Sequence, residues 1–219
     1  MKIIGLIPFW SGKSNSKDLK KLAGKYLIEY SVELLNSSEL IDEVIIYSSD
    51  DQILNYIDDE LGIKYVKRPT RLDNNEILIE HIVEAFINDY EADIIVLTNP
   101  SCPFIKRTTV DSCIENIKNG NHDSAFTALE IQKFVWFKNL PLNFDNSQYS
   151  PKINSLEKII IEQGLTYILS KEAFLKNRSR IGNNPLIKII NHYEGHEIND
   201  DEDFKIAELI VNSGMFQRY

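Results

Sequence analysis

Short apolar runs that alternate with helical patterns constrain the fold of this chain more than any other feature. Ile3-Ile4-Gly5-Leu6-Ile7-Pro8, Glu43–Tyr47 and Asp93–Thr98 are such runs, and Asp93–Thr98 is the most apolar. Between them apolar residues recur at helical spacing. Leu27, Ile28, Ser31, Val32 and Leu35 share one face of a helix over Tyr26–Asn36. Ile79, Ile82, Val83 and Phe86 share one face of a helix over Glu76–Tyr90. Strand–helix alternation marks βαβ units, and strands without polar alternation are buried on both faces. The pattern predicts an α/β fold with a mostly parallel sheet flanked by helices and Asp93–Thr98 near its centre.

The remaining elements follow the same logic. Ser48-Ser49-Asp50-Asp51 is expected to cap a helix reaching about Leu61. Lys64–Lys67 and Ser124–Leu129 read as strands, and Thr108–Asn119 as a helix. Ile159–Ile161 and Leu165–Leu169 read as strands around Glu162-Gln163-Gly164, followed by a short helix at Lys171–Lys176 and a strand at Ile187–Ile190. Asp200–Ser213 is a closing amphipathic helix with Phe204, Ile206, Ala207 and Ile210 inward. Residues 131–158 break the pattern, with Trp136, Phe137, Pro141, Phe144, Tyr149 and Pro151 set among Asn, Asp and Ser. The expectation is a single domain over 1–219, with 131–158 an irregular excursion that walls a site or meets a second subunit. Trp136 and Phe137 are assigned to the core or to a dimer contact.

Composition sets the outer bounds. The chain has 219 residues, 43% of them hydrophobic, enough for a substantial core. A formal charge of −9 argues against nucleic acid as the main partner, though a nucleotide needs only a few local cations. Cys102 and Cys113 form neither a disulfide framework nor a zinc ribbon, so reduced thiols in a cytoplasm are expected. No signal peptide and no apolar run of membrane-spanning length is present, so no membrane partner is expected.

In open α/β sheets ligands bind beyond the carboxyl ends of the strands. Four polar clusters fall at such ends: Ser11–Asp18, Ser48–Asp51, Asn99-Pro100-Ser101-Cys102-Pro103, and the acidic run Glu197–Asp203. A strand that empties into a Gly/Ser/Lys loop suits phosphate, because small residues let backbone N–H groups approach the anion and lysines balance its charge. The loop has neither P-loop nor dinucleotide spacing, and an ordinary turn is the competing reading. Carboxylates on the far side could hold Mg²⁺ against phosphate oxygens. Each cluster also has a plainer explanation. Ser48–Asp51 could serve only as a cap, Asp200–Asp203 only as a helix start favoured by the dipole, and Lys17, Lys20 and Lys21 only as a solvated face. Glu197 precedes that helix and fits the plain explanation less well. His192, Glu194, His196 and Glu197 have a metal-like spacing, but Gly195 opposes the helix that such a site needs. Ser11, Ser14 and the cysteines have no neighbouring base that would make them nucleophiles.

Several motifs, taken in order, resemble the acylneuraminate cytidylyltransferases, the family that makes CMP-activated acidic sugars. The family's I-P-A-R-x-G-S-K, K-N and L-x-G-K-P-L-I are similar to Ile7-Pro8-Phe9-Trp10-Ser11-Gly12-Lys13-Ser14, Lys17-Asp18 and Leu22-Ala23-Gly24-Lys25-Tyr26-Leu27-Ile28. Its S-T-D, R-P and Q-P-T-S-P resemble Ser48-Ser49-Asp50, Arg68-Pro69 and Asn99-Pro100-Ser101-Cys102-Pro103. Its N-G before a Y-I strand, its R-I-G and its closing I-D-I-D-x-x-x-D-F resemble Gln163-Gly164 with Tyr167-Ile168, Arg180-Ile181-Gly182, and His196 to Phe204.

The resemblance implies a Rossmann-like fold of the nucleotide-diphospho-sugar transferase type and a reaction in which CTP and an acidic sugar give a CMP-sugar and pyrophosphate. It implies that Lys17, with Lys13, contacts the phosphates as the catalytic cations. Pro8, Ser11, Gly12, Ser14, Ser49, Asp50 and Arg68 would bind the nucleotide. Asn99, Ser101, Gln163 and Gly164 would bind the sugar, of sialic, pseudaminic or legionaminic type, and Glu197, Asn199 and Asp200 would hold Mg²⁺. A cytoplasmic homodimer serving cell-surface polysaccharide synthesis is also implied. Four departures stand out. The family's early Arg is Trp10, the loop is about two residues shorter, the two metal aspartates are Glu197 and Asn199, and the Arg after Q-P-T-S-P is Ile105 beside Lys106. They leave room for cytidylyl transfer to a phosphonate or other phosphorylated small molecule, or for a catalytically weak nucleotide-binding homologue.

Overall fold

Every residue of β1 (Ile3–Pro8) is buried, because its two faces meet two different cores. Ile3 and Ile7 enter one cluster, and Ile4 and Leu6 the other. The structure, a computed structural model, describes residues 1–10, 19–74, 76–147 and 149–214. After β1 come β2 (Lys21–Leu22), β3 (Lys25–Tyr26), α1 (Leu27–Asn36), β4 (Glu43–Ser48), β5 (Lys64–Lys67), α2 (Ile79–Asp89), β6 (Ile94–Thr98) and α3 (Arg107–Lys118). Then follow β7 (Ser124–Ile131), β8 (Trp136–Phe137), β9 (Leu140–Pro141), β10 (Ile159–Ser170), α4 (Lys171–Asn177), β11 (Pro185–Ile189) and α5 (Asp201–Asn212).

The main sheet has the order β11-β7-β10-β6-β1-β4-β5, which puts β6 in the middle as expected from its composition. β1 pairs in parallel with β4 and β6, β4 with β5, and β7 with β11. Only β10 runs antiparallel, between β6 and β7. Helices α1 and α3 cover one face through Val32, Leu35, Val110 and Ile114. Helices α2 and α4 cover the other through Ile82, Val83, Phe86 and Phe174. Gly5 lets α1 approach, since a Cβ there would stand 3.0 Å from Leu35 Cδ1. A third cluster, with Leu22, Leu27, Tyr30, Phe104, Ile198, Ala207 and Ile210, docks α5 against α1 and the segment after β6. No helix among the described residues is long and apolar enough to cross a membrane.

Four expectations change. The helix expected to Leu61 is two 3-10 turns, Asp51–Tyr56 and Asp59–Leu61. Asp50 and Asp58 each accept from the N–H two residues on, at 3.0 Å, and these local bonds displace helical ones. The two strands around Gln163-Gly164 are one strand, β10, with a register shift between Glu162 and Tyr167. Ile206 is 46% exposed, because α5 turns Ala207 and Ile210 inward instead. Trp136 and Phe137 are 54% and 60% exposed, so neither belongs to the core. They sit on a two-stranded β8–β9 ribbon that no layer covers, with Phe144 edge-on to Trp136 at 5.4 Å.

Phe86 ties α2 to the sheet. Its ring meets Tyr47 edge-on at 5.4 Å and stacks on Tyr90 at 5.1 Å, and it is 1% exposed. Phe86→Ala is expected to cost about 3–5 kcal/mol through lost burial and a residual cavity. Urea unfolding followed by circular dichroism checks this, and an unchanged midpoint would contradict the assignment.

Candidate active site

The parallel strands β1, β4, β5 and β6 all finish at one edge of the sheet, and their last residues assemble two polar groups there. The first group lies over β1, β4 and β5. Phe9 N donates to Tyr47 O at 3.1 Å, and Arg68 N donates to Ser48 O at 2.9 Å, so the chain beyond each strand stays registered to its neighbour. Ser48 is buried, and its hydroxyl accepts from Asp50 N at 3.2 Å. Pro8 is buried, while Ser49 and Asp50 are half-buried on the rim. Asp50 caps the following turn, so the capping role foreseen for it is in place.

Arg68 dominates this group. It is 0% exposed. Its Nη2 donates to Asp73 Oδ1 at 2.6 Å, and its guanidinium lies 4.6 Å from the Trp10 ring centroid. Among the described residues, its Nε and Nη1 are buried without a hydrogen-bond partner. Buried donors are nearly always paired, and an unmatched one at a strand end needs an explanation. Donors of a guanidinium left over after one carboxylate contact can serve a further oxygen acceptor.

The second group lies beyond β6. Asn99 Oδ1 accepts from Ser101 N at 3.1 Å, which folds Asn99–Cys102 into a tight turn with Ser101 buried. Ser101 O accepts from Ile198 N at 2.9 Å. That bond brings the segment carrying Glu197 and Asn199 against the segment carrying Asn99 and Ser101. Glu194 holds the same junction. Its carboxylate, 5% exposed, accepts from Lys106 N at 3.1 Å and from the Thr109 hydroxyl at 2.5 Å. Lys106, the N-cap of α3, supplies no side-chain cap, and Glu194 supplies one from a distant part of the chain.

The acidic run divides by role. Asp200 is the N-cap of α5, accepting from Glu202 N at 2.8 Å and Asp203 N at 2.9 Å. Asp203 accepts from Asn199 N at 2.9 Å and completes a capping box. Asp201 pairs with Lys20, whose hydrogen bond first and charge second hold that carboxyl below its usual range. Glu197 is half-buried, Asn199 is exposed, and Glu197 enters no ion pair among the described residues. His196 Nε2 lies 2.8 Å from Asp203 O, a bond to the backbone. Among the described residues no group of three or more His, Cys, Asp and Glu side chains is placed to hold a metal ion.

Gln163, half-buried, and Gly164, exposed, occupy the register shift of β10, close to the end of β6 through the pairing of Thr166 with Thr98. The shift is braced by Arg180. Its Nη1 binds Glu80 at 2.7 Å, its Nη2 reaches Glu162 at 3.4 Å, and it lies 4.8 Å from the Tyr167 ring centroid. The Tyr167 hydroxyl bonds Glu162, and burial first, then that carboxylate, pushes its pKa up to about 12. Tyr167 therefore stays protonated at neutral pH and donates to Glu162. Ser11, Gly12, Lys13, Ser14 and Lys17 lie outside the described residues. Sequence reasoning missed Asp73 and Glu162, and it weighed Glu194 only within a metal-like spacing, not as the acceptor at the start of α3. Asp73, five residues beyond Arg68, carried a weak local signal, while Glu194 carried none because its partners are 85 and 88 residues away.

The profile of the cytidylyltransferase family matches residues 11–175. A 3-deoxy-manno-octulosonate cytidylyltransferase from Thermodesulfovibrio yellowstonii is 24% identical over 97% of this chain and 99% of that protein. An N-acylneuraminate cytidylyltransferase from Streptococcus agalactiae serotype III is 24% identical over 82% of this chain but 46% of that protein, so the chain spans about half of that relative's length. Among solved structures, CMP:2-keto-3-deoxy-manno-octonic acid synthetase complexed with CTP superposes with a TM-score of 0.60, 18% identity, and coverage of 100% of this chain and 88% of that one. The fold is thus the Rossmann-like nucleotidyltransferase type. The chain belongs to the cytidylyltransferase family, a family of CTP-dependent nucleotidyltransferases.

Glu194→Ala would leave the buried N–H of Lys106 and the Thr109 hydroxyl without their acceptor. A loss of about 1–3 kcal/mol is expected, read by thermal unfolding. Unchanged stability would mean that the junction is held by Ile198 and the third core cluster alone.

Proposed function

We propose that this chain transfers a cytidylyl group from CTP to an acidic sugar of the sialic, pseudaminic or legionaminic kind. The observation that carries the reading is Arg68, fully buried at the sheet edge with two donor nitrogens unpartnered among the described residues, in a chain of the cytidylyltransferase family. The acidic-sugar acceptor is supported by the relatives' names, which specify sugar acids. Arg68, Ser49 and Asp50 take the nucleotide over β1, β4 and β5, and Lys17 with Lys13 takes the phosphates. Asn99, Ser101, Gln163 and Gly164 take the sugar over β6 and β10. A sugar hydroxyl attacks the α-phosphorus in line, the bond to the β-phosphate oxygen breaks, and pyrophosphate leaves.

Glu197, Asn199 and Asp200 offer hard oxygen donors, which suit Mg²⁺. Glu197 and Asn199 would hold it, with Asp200 contributing only by giving up part of its cap. Bound there, Mg²⁺ would supply positive charge to phosphate oxygens. Asn199 brings an amide where the family brings a carboxylate, so the site is weaker by one charge. The proposal also takes residues 1–219 as one catalytic domain in a cytoplasm, where the free thiols of Cys102 and Cys113 stay reduced. It takes residues 131–158 as a subunit contact. Trp136, Phe137, Leu140, Leu142, Tyr149 and Ile153 expose 51–101% of their surface there, and exposed apolar groups gathered in one region mark an interface.

Pyrophosphate release with CTP, Mg²⁺ and a panel of sugar acids, phosphonates and phosphorylated alcohols tests the reaction. Turnover with a sugar acid is expected. Turnover only with a phosphorylated acceptor, or none, would replace the reading with cytidylyl transfer to another acceptor or with a weak homologue. In the same assay Asn199→Asp is expected to lower the Mg²⁺ concentration for half-maximal rate, and Glu197→Gln to raise it more strongly. An unmoved Mg²⁺ dependence in Glu197→Gln would reduce the acidic run to a helix start.

Light scattering is expected to report a dimer at micromolar concentration. A monomer would remove the subunit contact from the proposal.

A further inference from the structure

We infer that Trp10 is a positioning residue for nucleotide binding, with its indole fixing the Arg68 guanidinium in the orientation from which Arg68 donates to CTP. The inference rests on the cytidylyltransferase reading above.

A guanidinium taken fully out of water is costly unless its charge and its donors are matched. Arg68 has one carboxylate, Asp73, on Nη2 at 2.6 Å. That single contact restrains one corner and leaves the plane free to turn about it. The Trp10 ring at 4.6 Å from Cζ lies within the range in which an indole attracts a cation. With a carboxylate at one corner and an indole against the group, rotation of the guanidinium sacrifices one contact or the other. Nε and Nη1, the two donors without partners, are thereby held in place before any ligand arrives. Pre-organised donors bind more tightly because their ordering cost is already met by the fold.

The residue type at position 10 has a physical consequence. An arginine here would set a second cation beside the buried Arg68. An indole removes that repulsion and adds an attraction. Trp10 therefore restrains the neighbouring cation without adding a charge of its own. Apolar packing is the competing account, because Trp10 also rests against the second core cluster. Packing alone would be satisfied by any apolar side chain of sufficient bulk, whereas the cation contact requires an aromatic ring.

That difference sets the test. CTP affinity is measured by calorimetry for the wild type, Trp10→Phe and Trp10→Leu, together with KM and kcat for pyrophosphate release. Trp10→Phe is expected to bind CTP within about threefold of the wild type, and Trp10→Leu about tenfold more weakly, in line with a partly desolvated cation–π contact. The loss in Trp10→Leu should appear in KM for CTP and leave kcat little changed. In the wild type, saturating CTP should alter tryptophan emission with the calorimetric midpoint, and Trp10→Phe, which keeps Trp136, should lack that change. Equal affinity in Trp10→Leu and wild type would overturn the inference. So would equal losses in Trp10→Phe and Trp10→Leu, or wild-type emission indifferent to bound CTP, a readout that stands even if Trp10→Leu does not fold. A wild type that does not bind CTP at all would overturn the cytidylyltransferase reading itself, which the other failures leave intact.

Discussion

β6 is buried at every residue, with Ile94 and Val96 in one core and Ile95 and Leu97 in the other, so the middle of the sheet has no face on which to carry polar chemistry. Polar groups are pushed to the strand ends. Because β1, β4, β5 and β6 run the same way, their carboxyl ends arrive together, and the helices that return the chain begin there. Thr98 to Ser101 and Ser48 to Asp50 are thus neighbours of a common edge for a reason that precedes any ligand. A sheet buried on both faces concentrates its unspent hydrogen-bonding capacity at the rim.

Within that rim the two polar groups are stabilised differently. Around Asn99 and Ile198 the bonds are backbone-directed: Ser101 O, Glu194 and the capping box of α5 each find partners, while the buried Ser101 hydroxyl finds none among the described residues. Around Arg68 satisfaction is incomplete, with Asp73 and Trp10 holding a cation that keeps two donors spare. A net charge of −9 makes such a local cation matter, because the rest of the surface repels a polyanionic nucleotide.

Arg180 shows the same economy of position on the flank. One guanidinium bridges Glu80 at the start of α2 and Glu162 in β10, while covering Tyr167. It joins a helix, a strand and the shift in register that carries Gln163 and Gly164. Those two residues owe their presentation to contacts among side chains up to 100 positions apart.

Local patterns in the sequence were sufficient for the α/β class, the central place of β6, helices α1, α2 and α3 to within three residues at their ends, the capping by Asp50, and the start of α5 at the acidic run. All of these depend on short-range periodicity or on bonds spanning a few residues, and both are written into neighbouring positions. Arg68 and the Asn99–Ser101 turn were also legible, through motif order. What only the tertiary structure decided lies in long-range packing. It made β10 antiparallel and continuous through its register shift, and it turned Ile206 outward. It left Trp136 and Phe137 on a ribbon outside the core. It set Glu194 as the cap of α3, and it buried Arg68 between Asp73 and Trp10. A single sequence records which residues can be buried or charged, but which of them meet is fixed by the closing of loops between distant segments, where no local period survives.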